Sequence, residues 1–120
     1  MATHLVDATP RPLGGLGPVA PLAFGCWRFR DGDLAGATAA LDAALAAYAT
    51  PGARVLVDNA DVYGEQERGA AESLLGRVLS GRSGWADDLV LATKAGIRPG
   101  VPYDASGDHL VAACDASLRR

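Results

Sequence analysis

The sequence predicts an α/β fold in which parallel strands alternate with crossover helices, as part of a (β/α)8 (TIM) barrel. Three short apolar runs, starting at Leu22, Val55 and Leu89, recur at intervals of about 33 residues. Each run is followed by a pattern of apolar residues at helical spacing. This period is typical of a strand, a helix and two loops in a parallel sheet, so three βα units are predicted.

The glycine pattern separates the barrel from other α/β folds. A dinucleotide-binding sheet would place G-x-G-x-x-G after its first strand, and a P-loop would need G-x-x-x-x-G-K-[ST]; neither pattern occurs. The glycine cluster at residues 14–17 precedes the first strand and predicts a turn or a short hairpin. A (β/α)8 barrel is the remaining common fold, and it typically needs about 250 residues.

The first unit is predicted as a strand over residues 19–24 and a helix after residue 33. The apolar run suits a strand buried on both faces, although Pro21 weakens its start. Asp31 or Asp33 can cap the helix, and the Pro-Gly pair at 51–52 ends it. The larger apolar residues of this helix are Leu34, Leu41, Leu45 and Tyr48.

The second and third units repeat this order. A β-branched run over residues 54–58 predicts a strand, and a helix begins near Gly69. Residues 88–93 predict the third strand, and a helix follows the Gly/Pro-rich loop at 96–107. The predicted apolar faces are Leu74, Leu75, Val78 and Leu79 in the second helix, and Leu110, Val111, Cys114 and Leu118 in the third.

Composition excludes several functional classes. The chain is 49% apolar but only 6% aromatic, which predicts a lean core. Eleven basic residues against fourteen acidic ones give a net charge of −3, with no basic cluster for nucleic acid. Residues 1–10 lack the features of a signal peptide, and no run is long enough for a membrane span. We therefore expect a cytoplasmic protein that binds neither nucleic acid nor membranes.

The cysteines and histidines do not form a metal or disulfide pattern. Cys26 and Cys114 lie far apart, and neither belongs to a C-x-x-C motif. His4 and His109 have no cluster of metal-ligating residues around them. No metal site is expected.

The ends of the predicted strands carry the chemistry. In a (β/α)8 barrel, catalytic groups come from the carboxyl ends of the strands. Here the second strand delivers Asp58 and Tyr63, and the third delivers Lys94. A lysine ending an apolar strand needs a counter-charge, which Asp58 can provide. An ammonium beside Tyr63 would favour its phenolate and bring the phenol pKa closer to neutrality, as a general acid requires.

These residues lie in motifs that resemble those of the aldo-keto reductase family. The motifs are LAFGCW at residues 22–27, VDNADVYG at 57–64 with AESLLG at 71–76, and LATKAG at 91–96. They occur in the family's order, and the resemblance extends from about Pro18 to Arg120. It implies an NADP(H)-dependent oxidoreductase that transfers hydride between nicotinamide and the carbonyl or alcohol group of an aldehyde, ketone or sugar.

The resemblance also implies roles for individual residues. Tyr63 matches the family's proton donor, and Asp58 and Lys94 match the residues that tune it. The segment with Gly25 and Cys26 matches the part that flanks the nicotinamide, and Asp58 is also implied in cofactor binding. On the first loop, we expect the substrate to contact Trp27 and Phe29, although either aromatic could equally pack against the protein.

The family's fourth catalytic residue is a histidine at the end of the fourth strand. The observed period places that strand at about residue 122. We therefore expect residues 1–120 to be the N-terminal portion of one incomplete barrel domain, either a fragment or a truncated product, and to be inactive alone. Its open sheet edges predict self-association.

Two other functions remain open at this stage. The chain could be a non-catalytic barrel remnant that acts as a binding or assembly module. It could also belong to a lyase that uses Lys94 to form a Schiff base with its substrate.

Overall fold

The computed structural model describes residues 7–120 and contains two small sheets and four α-helices. His4, named above, lies outside the described residues. In chain order the elements are β1 (Arg11–Pro12), β2 (Pro18–Val19), β3 (Phe24–Gly25), α1 (Leu34–Tyr48), β4 (Val55–Asp58), α2 (Ala70–Ser80), α3 (Trp85–Asp88), β5 (Leu89–Ala92) and α4 (Gly107–Arg119).

A parallel sheet of three strands, in the order β3-β4-β5, organises the fold. Val55 is in register with Leu89 and Asp58 with Ala92, so β4 and β5 pair along their whole length. The helices α1 and α2 connect successive strands of this sheet as crossovers. The prediction of an α/β fold with parallel strands and crossover helices is therefore confirmed.

The first predicted strand, over residues 19–24, is interrupted in its middle. Residues 18–19 pair with β1 in an antiparallel hairpin that a short 3-10 helix at residues 14–16 closes. Val19 also forms a parallel bridge with Arg54, the residue before β4, and the Ala20 amide donates to the Arg54 carbonyl at 2.9 Å. Pro21 and Leu22 form a bend, and parallel pairing resumes at the two residues of β3, which pair with β4. Pro21 has no N–H to give to a strand ladder, which explains the break. The predicted hairpin around the glycine cluster is confirmed.

The first two helices begin and end close to the predicted positions. Asp33 caps α1, since its carboxylate accepts a hydrogen bond from the Gly36 amide at 2.8 Å. Gly69 precedes α2 with φ +84°, a conformation that glycine adopts without strain. The core lies between these helices and the sheet, and its least exposed large side chains include Leu41, Val57 and Leu89.

The predicted apolar face of α4 does not lie against the rest of the protein. Val111 is 64% exposed and Leu118 is 80% exposed, and only Ala113 of this helix is buried. The contacts of α4 with α2 are instead polar, because Ser117 and Arg120 both bind Glu72. Periodicity located the helix correctly, but its apolar face has no packing partner within residues 7–120.

No helix within residues 7–120 combines the length and the apolar character that crossing a membrane requires.

Candidate active site

The sheet brings Asp58 and Lys94 to the same edge. Asp58 is the last residue of β4, and Lys94 lies two residues beyond its register partner Ala92. Hydrogen bonds continue past the strand ends, from the Asn59 amide to the Ala92 carbonyl at 2.8 Å and from the Asp61 amide to the Lys94 carbonyl at 2.9 Å. The backbone at both strand ends is therefore fixed, and alternate residues share a face.

The Lys94 ammonium donates three hydrogen bonds. Its Nζ lies 2.8 and 2.7 Å from the two carboxylate oxygens of Asp58 and 2.7 Å from the Asn59 carbonyl. An ammonium has three N–H donors, so all of them have acceptors. The Lys94 and Asp58 side chains are still 48% and 44% exposed, and a ligand can reach both.

The surroundings of Lys94 favour its charged form. Partial burial acts to lower its pKa, but hydrogen bonding and charge from Asp58, with a further contribution from Tyr63, raise the pKa above the usual lysine value. Lys94 is therefore a cation at neutral pH, and its amine carries no free electron pair for nucleophilic attack.

Tyr63 completes a group of three. Its backbone N–H donates to the Ala60 carbonyl at 3.1 Å, and its carbonyl accepts from the Ala71 amide of α2 at 3.1 Å. The Lys94 ammonium lies 5.0 Å from the centre of the Tyr63 ring. The structure thus brings together Asp58 at the end of β4, Tyr63 in the loop that follows it, and Lys94 just after β5.

Of the two predicted substrate residues, only Trp27 lies beside this group. Its ring centre is 6.4 Å from that of Tyr63, and its side chain is 65% exposed. A groove between residues 27–30 and 64–65 adjoins it. Phe29 is 7% exposed and packs on Phe24, with ring centres 5.8 Å apart. Phe29 therefore serves packing far more than contact with a ligand.

Gly25 and Cys26, the two residues expected to flank a nicotinamide, differ in whether a ligand can reach them. Gly25 is in register with Asp58, and a side chain there would meet no atom within 4 Å, so this surface is open to a flat ring. The Cys26 side chain is fully buried in the core, and its amide donates to the Asp58 carbonyl at 2.9 Å. Cys26 thus supports Asp58 rather than presenting its thiol.

The Cys26 thiol is also held in its neutral form. Burial, followed by the negative charge of Asp58, raises its pKa to about 12, against a smaller opposite effect of Lys94. Cys26 is therefore not a nucleophile at neutral pH.

Asn59 carries a buried polar atom beside the site. Its Oδ1 accepts from the Ala60 amide at 2.9 Å, whereas its Nδ2 has no hydrogen-bond partner within residues 7–120. A buried N–H without a partner is costly, so Asn59 leaves one unsatisfied donor beside the site.

Asp31 fixes a loop next to Tyr63 and was assigned another role from sequence. Its carboxylate accepts from the backbone amides of Glu65, Gln66 and Glu67 at 2.9, 2.9 and 3.3 Å. These bonds lower the pKa of Asp31. The sequence predicted Asp31 as a possible helix cap. The contact with residues 65–67 joins positions more than 30 residues apart, and no local pattern predicts it.

Further contacts fix the loops around Lys94. Asp61 is 5% exposed and pairs with Arg68 at 3.1 Å, and Arg68 also binds the Ile97 carbonyl. Glu72 is 7% exposed and binds the hydroxyl of Thr93, the residue before Lys94. From the sequence, Glu72 was identified only as one position of the AESLLG motif, with no role of its own. Among residues 7–120, no three His, Cys, Asp or Glu side chains are grouped to hold a metal ion.

Two comparisons with known proteins identify the family of this chain. A family model described as the Aldo/keto reductase family matches residues 21–120. A 6-dehydroglucose reductase of Novosphingobium aromaticivorans is 43% identical over 115 residues, which cover 92% of this chain and 36% of that relative. The chain therefore spans about a third of the length of the curated relative that it matches.

Proposed function

This chain belongs to the aldo/keto reductase family, and from that premise we propose that it contributes the proton-donating half of the active site of an NADP(H)-dependent oxidoreductase. The reaction is hydride transfer between nicotinamide and the carbonyl or alcohol group of a small molecule. The observation that carries this proposal is the contact of one ammonium, Lys94, with both Asp58 and the Tyr63 ring.

The proton step follows from these contacts. When bound, the nicotinamide supplies the hydride to the carbonyl carbon. Tyr63 gives its hydroxyl proton to the carbonyl oxygen as negative charge develops there. Lys94 stabilises the resulting phenolate with its positive charge, and Asp58 holds Lys94 in position.

The residues present fit part of a nicotinamide site. The open surface at Gly25 can take the flat ring, and the exposed carboxylate of Asp58 can accept a further hydrogen bond from the cofactor. Cys26 would contribute through its support of Asp58. The preference for NADPH over NADH is a family expectation that belongs to the same proposal.

The substrate we propose is a carbonyl compound, with sugars as the first class to test. The similar protein from Novosphingobium is named a 6-dehydroglucose reductase, which supports a sugar. Exposed Trp27 next to Tyr63 offers an apolar surface on which a sugar ring can stack, and the groove beside it is open to solvent.

We further propose that residues 1–120 are the N-terminal portion of one (β/α)8 barrel domain and are inactive alone. The three parallel strands and their crossover helices support this arrangement, as does the 36% coverage of the relative. The cytoplasm is the compartment we propose, because a reductase needs a supply of reduced cofactor.

A second function rests on the exposed apolar surface. Leu91 of the edge strand β5 is 41% exposed, and Val111 and Leu118 of α4 are more exposed still. These surfaces support an assembly module that associates with itself or with a partner. Light scattering of the 120-residue chain tests this function: a defined oligomer supports it, whereas undefined aggregates are what the open sheet edges of a fragment alone predict.

The enzymatic proposal is tested with the full-length protein that contains this chain. NADPH oxidation is followed by its absorbance in the presence of aldoses, keto-sugars and simple aldehydes, with NADH as the comparison. Carbonyl-dependent oxidation that Tyr63→Phe abolishes supports the proposal. Absence of oxidation with every carbonyl class, in a protein that binds NADPH, contradicts it.

A further inference from the structure

Glu72 of α2 is a buried carboxylate that three side chains bind from two directions. On one side the Thr93 hydroxyl donates to Oε1 at 2.5 Å. On the other side Oε2 accepts from the Ser117 hydroxyl at 3.1 Å and from the Arg120 guanidinium at 2.6 Å. The residue is 7% exposed, and none of the steps described above uses it.

Because Glu72 is buried, its carboxylate depends on these three partners. A buried carboxylate is costly unless it is paired and hydrogen-bonded, and Arg120 supplies the counter-charge. Hydrogen bonds to an ionised carboxylate are shorter and stronger than neutral ones. The Thr93–Glu72 bond is therefore a strong connection between α2 and the end of β5.

The position of Thr93 gives this connection a consequence for the site. Thr93 directly precedes Lys94, just after the last residue of β5. Within the described residues β5 pairs only with β4, so one side of this strand end has no neighbouring strand. On the β4 side, the Asp61 amide binds the Lys94 carbonyl at 2.9 Å. The hydrogen bond from the Thr93 hydroxyl to Glu72 attaches the same strand end to α2, on the helix side of the sheet.

We propose that Glu72 is a positioning residue for Lys94, acting through the Thr93 hydroxyl. The bond fixes the backbone of residues 93–94, and this holds the Lys94 ammonium between the Asp58 carboxylate and the Tyr63 ring. The inference rests on the proposed function, because it assigns Lys94 a part in the proton step.

The sharpest variant is Thr93→Val, which removes the hydroxyl and keeps the shape of the side chain. It leaves the Glu72–Arg120 ion pair in place, whereas a Glu72 variant would leave Arg120 without its partner. Ser117→Ala is the matched control, because it also removes one hydroxyl donor to the Glu72 carboxylate, on the side of α4. Thr93→Ser restores the hydroxyl.

In the full-length protein, we expect Thr93→Val to lower kcat at least about tenfold, because small misplacements of a reacting group are costly. The KM for NADPH should change less than about twofold, since the substitution leaves the cofactor surface intact. The alkaline limb of the kcat–pH profile should move to lower pH, because the Lys94 ammonium loses part of the support of Asp58. Thr93→Ser should recover most of kcat, and Ser117→Ala should match the unmodified protein in kcat and in pH profile.

A readout independent of activity separates the two proposals. The Lys94 side chain is titrated by NMR with isotope-labelled lysine, and its signal is assigned by its loss in Lys94→Met. Thr93→Val should shift the Lys94 titration downwards, because the ammonium moves away from Asp58, and Ser117→Ala should leave it in place. Equal effects of the two variants, or none from Thr93→Val, would overturn the positioning role. If the unmodified protein reduces no carbonyl compound, the proposed function fails, but the titration still decides whether Glu72 positions Lys94.

Discussion

Lys94 and Asp58, which lie 36 residues apart in sequence, form a two-point ion pair in which Nζ is 2.8 and 2.7 Å from the two carboxylate oxygens. The pair joins the ends of two neighbouring parallel strands. It is partly exposed, so its contribution to the free energy of unfolding is small compared with what it does for the site. Its main effect is to fix a positive charge 5.0 Å from the centre of the Tyr63 ring.

Removal of the Tyr63 hydroxyl should abolish turnover without removing cofactor affinity. In the full-length protein, Tyr63→Phe is expected to lower kcat at least about 100-fold, because general acid catalysis contributes that much. The Kd for NADPH, measured by fluorescence quenching, should change little, since the ring remains. Turnover equal to that of the unmodified protein would remove Tyr63 as the acid.

Lys94 should not form a Schiff base at neutral pH. Its raised pKa keeps it charged, and its three N–H groups all have acceptors, whereas imine formation needs a neutral amine. Incubation with glyceraldehyde and borohydride at pH 7, followed by peptide mass spectrometry, should leave Lys94 unmodified. Labelling should appear only as the pH rises towards the raised pKa. An adduct on Lys94 at pH 7 would instead favour the lyase.

The loop after Tyr63 should lose its protection when Asp31 is removed. Asp31→Ala deletes the acceptor for the amides of residues 65–67, and their hydrogen exchange should accelerate roughly tenfold. Asp33→Ala is the matched control, because that carboxylate caps α1 instead. Unchanged exchange at 65–67 in Asp31→Ala would show that the loop is held by other contacts.

The same loop should respond to acid in a defined direction. The pKa of Asp31 is lowered in the folded protein, chiefly by the Glu65 and Gln66 amides. The contribution of Asp31 is therefore fully present above the ordinary carboxyl pKa of about 3.9, and it is lost as the pH falls through the lowered value. The difference in exchange between the unmodified protein and Asp31→Ala should shrink below that range.

The sequence was sufficient to predict the units of the fold and to place Asp58, Tyr63 and Lys94 near one another. Strands β4 and β5 and the helices α1 and α2 have strong local signals, namely β-branched runs, helical spacing and terminal glycines. The carboxyl ends of parallel strands meet at one edge, so Asp58 and Lys94 could be placed together before any coordinates were known. Tyr63 could be placed beside them because it lies only five residues after Asp58 in the chain.

The errors occurred where tertiary contacts override local pattern. Residues 19–24 look like one continuous buried strand, but Val19 pairs with both β1 and Arg54, and the run is then interrupted at Pro21. The apolar face of α4 fits a helix that packs through its larger side chains, but within residues 7–120 the helix is held by polar contacts with Glu72 on another side. The role of Asp31 depends on a loop 34 residues away, and no local spacing encodes it.

The two cysteines should differ sharply in reactivity. Cys26 is fully buried and its pKa is raised to about 12, so it carries almost no thiolate at pH 8. Cys114 is exposed on α4. Iodoacetamide at pH 8, with peptide mapping, should label Cys114 and leave Cys26 unmodified until denaturant is added. Labelling of both at equal rates in the native protein would show that Cys26 is not buried as described.

The close approach of α4 to α2 should depend on Gly76. A Cβ at this position would clash with the backbone carbonyl of Arg120, and the backbone cannot give way as a flexible side chain can. Gly76→Ala should therefore destabilise the protein by about 1–3 kcal/mol, the usual cost of overpacking. The change is read from urea unfolding, as a lower midpoint at unchanged slope. Gly107→Ala is the control, because a Cβ there meets no atom within 4 Å and alanine favours a helix. If Gly76→Ala is as stable as Gly107→Ala, α4 does not pack on α2 at this distance, and the Glu72 contacts with Ser117 and Arg120 would need to be reconsidered as well.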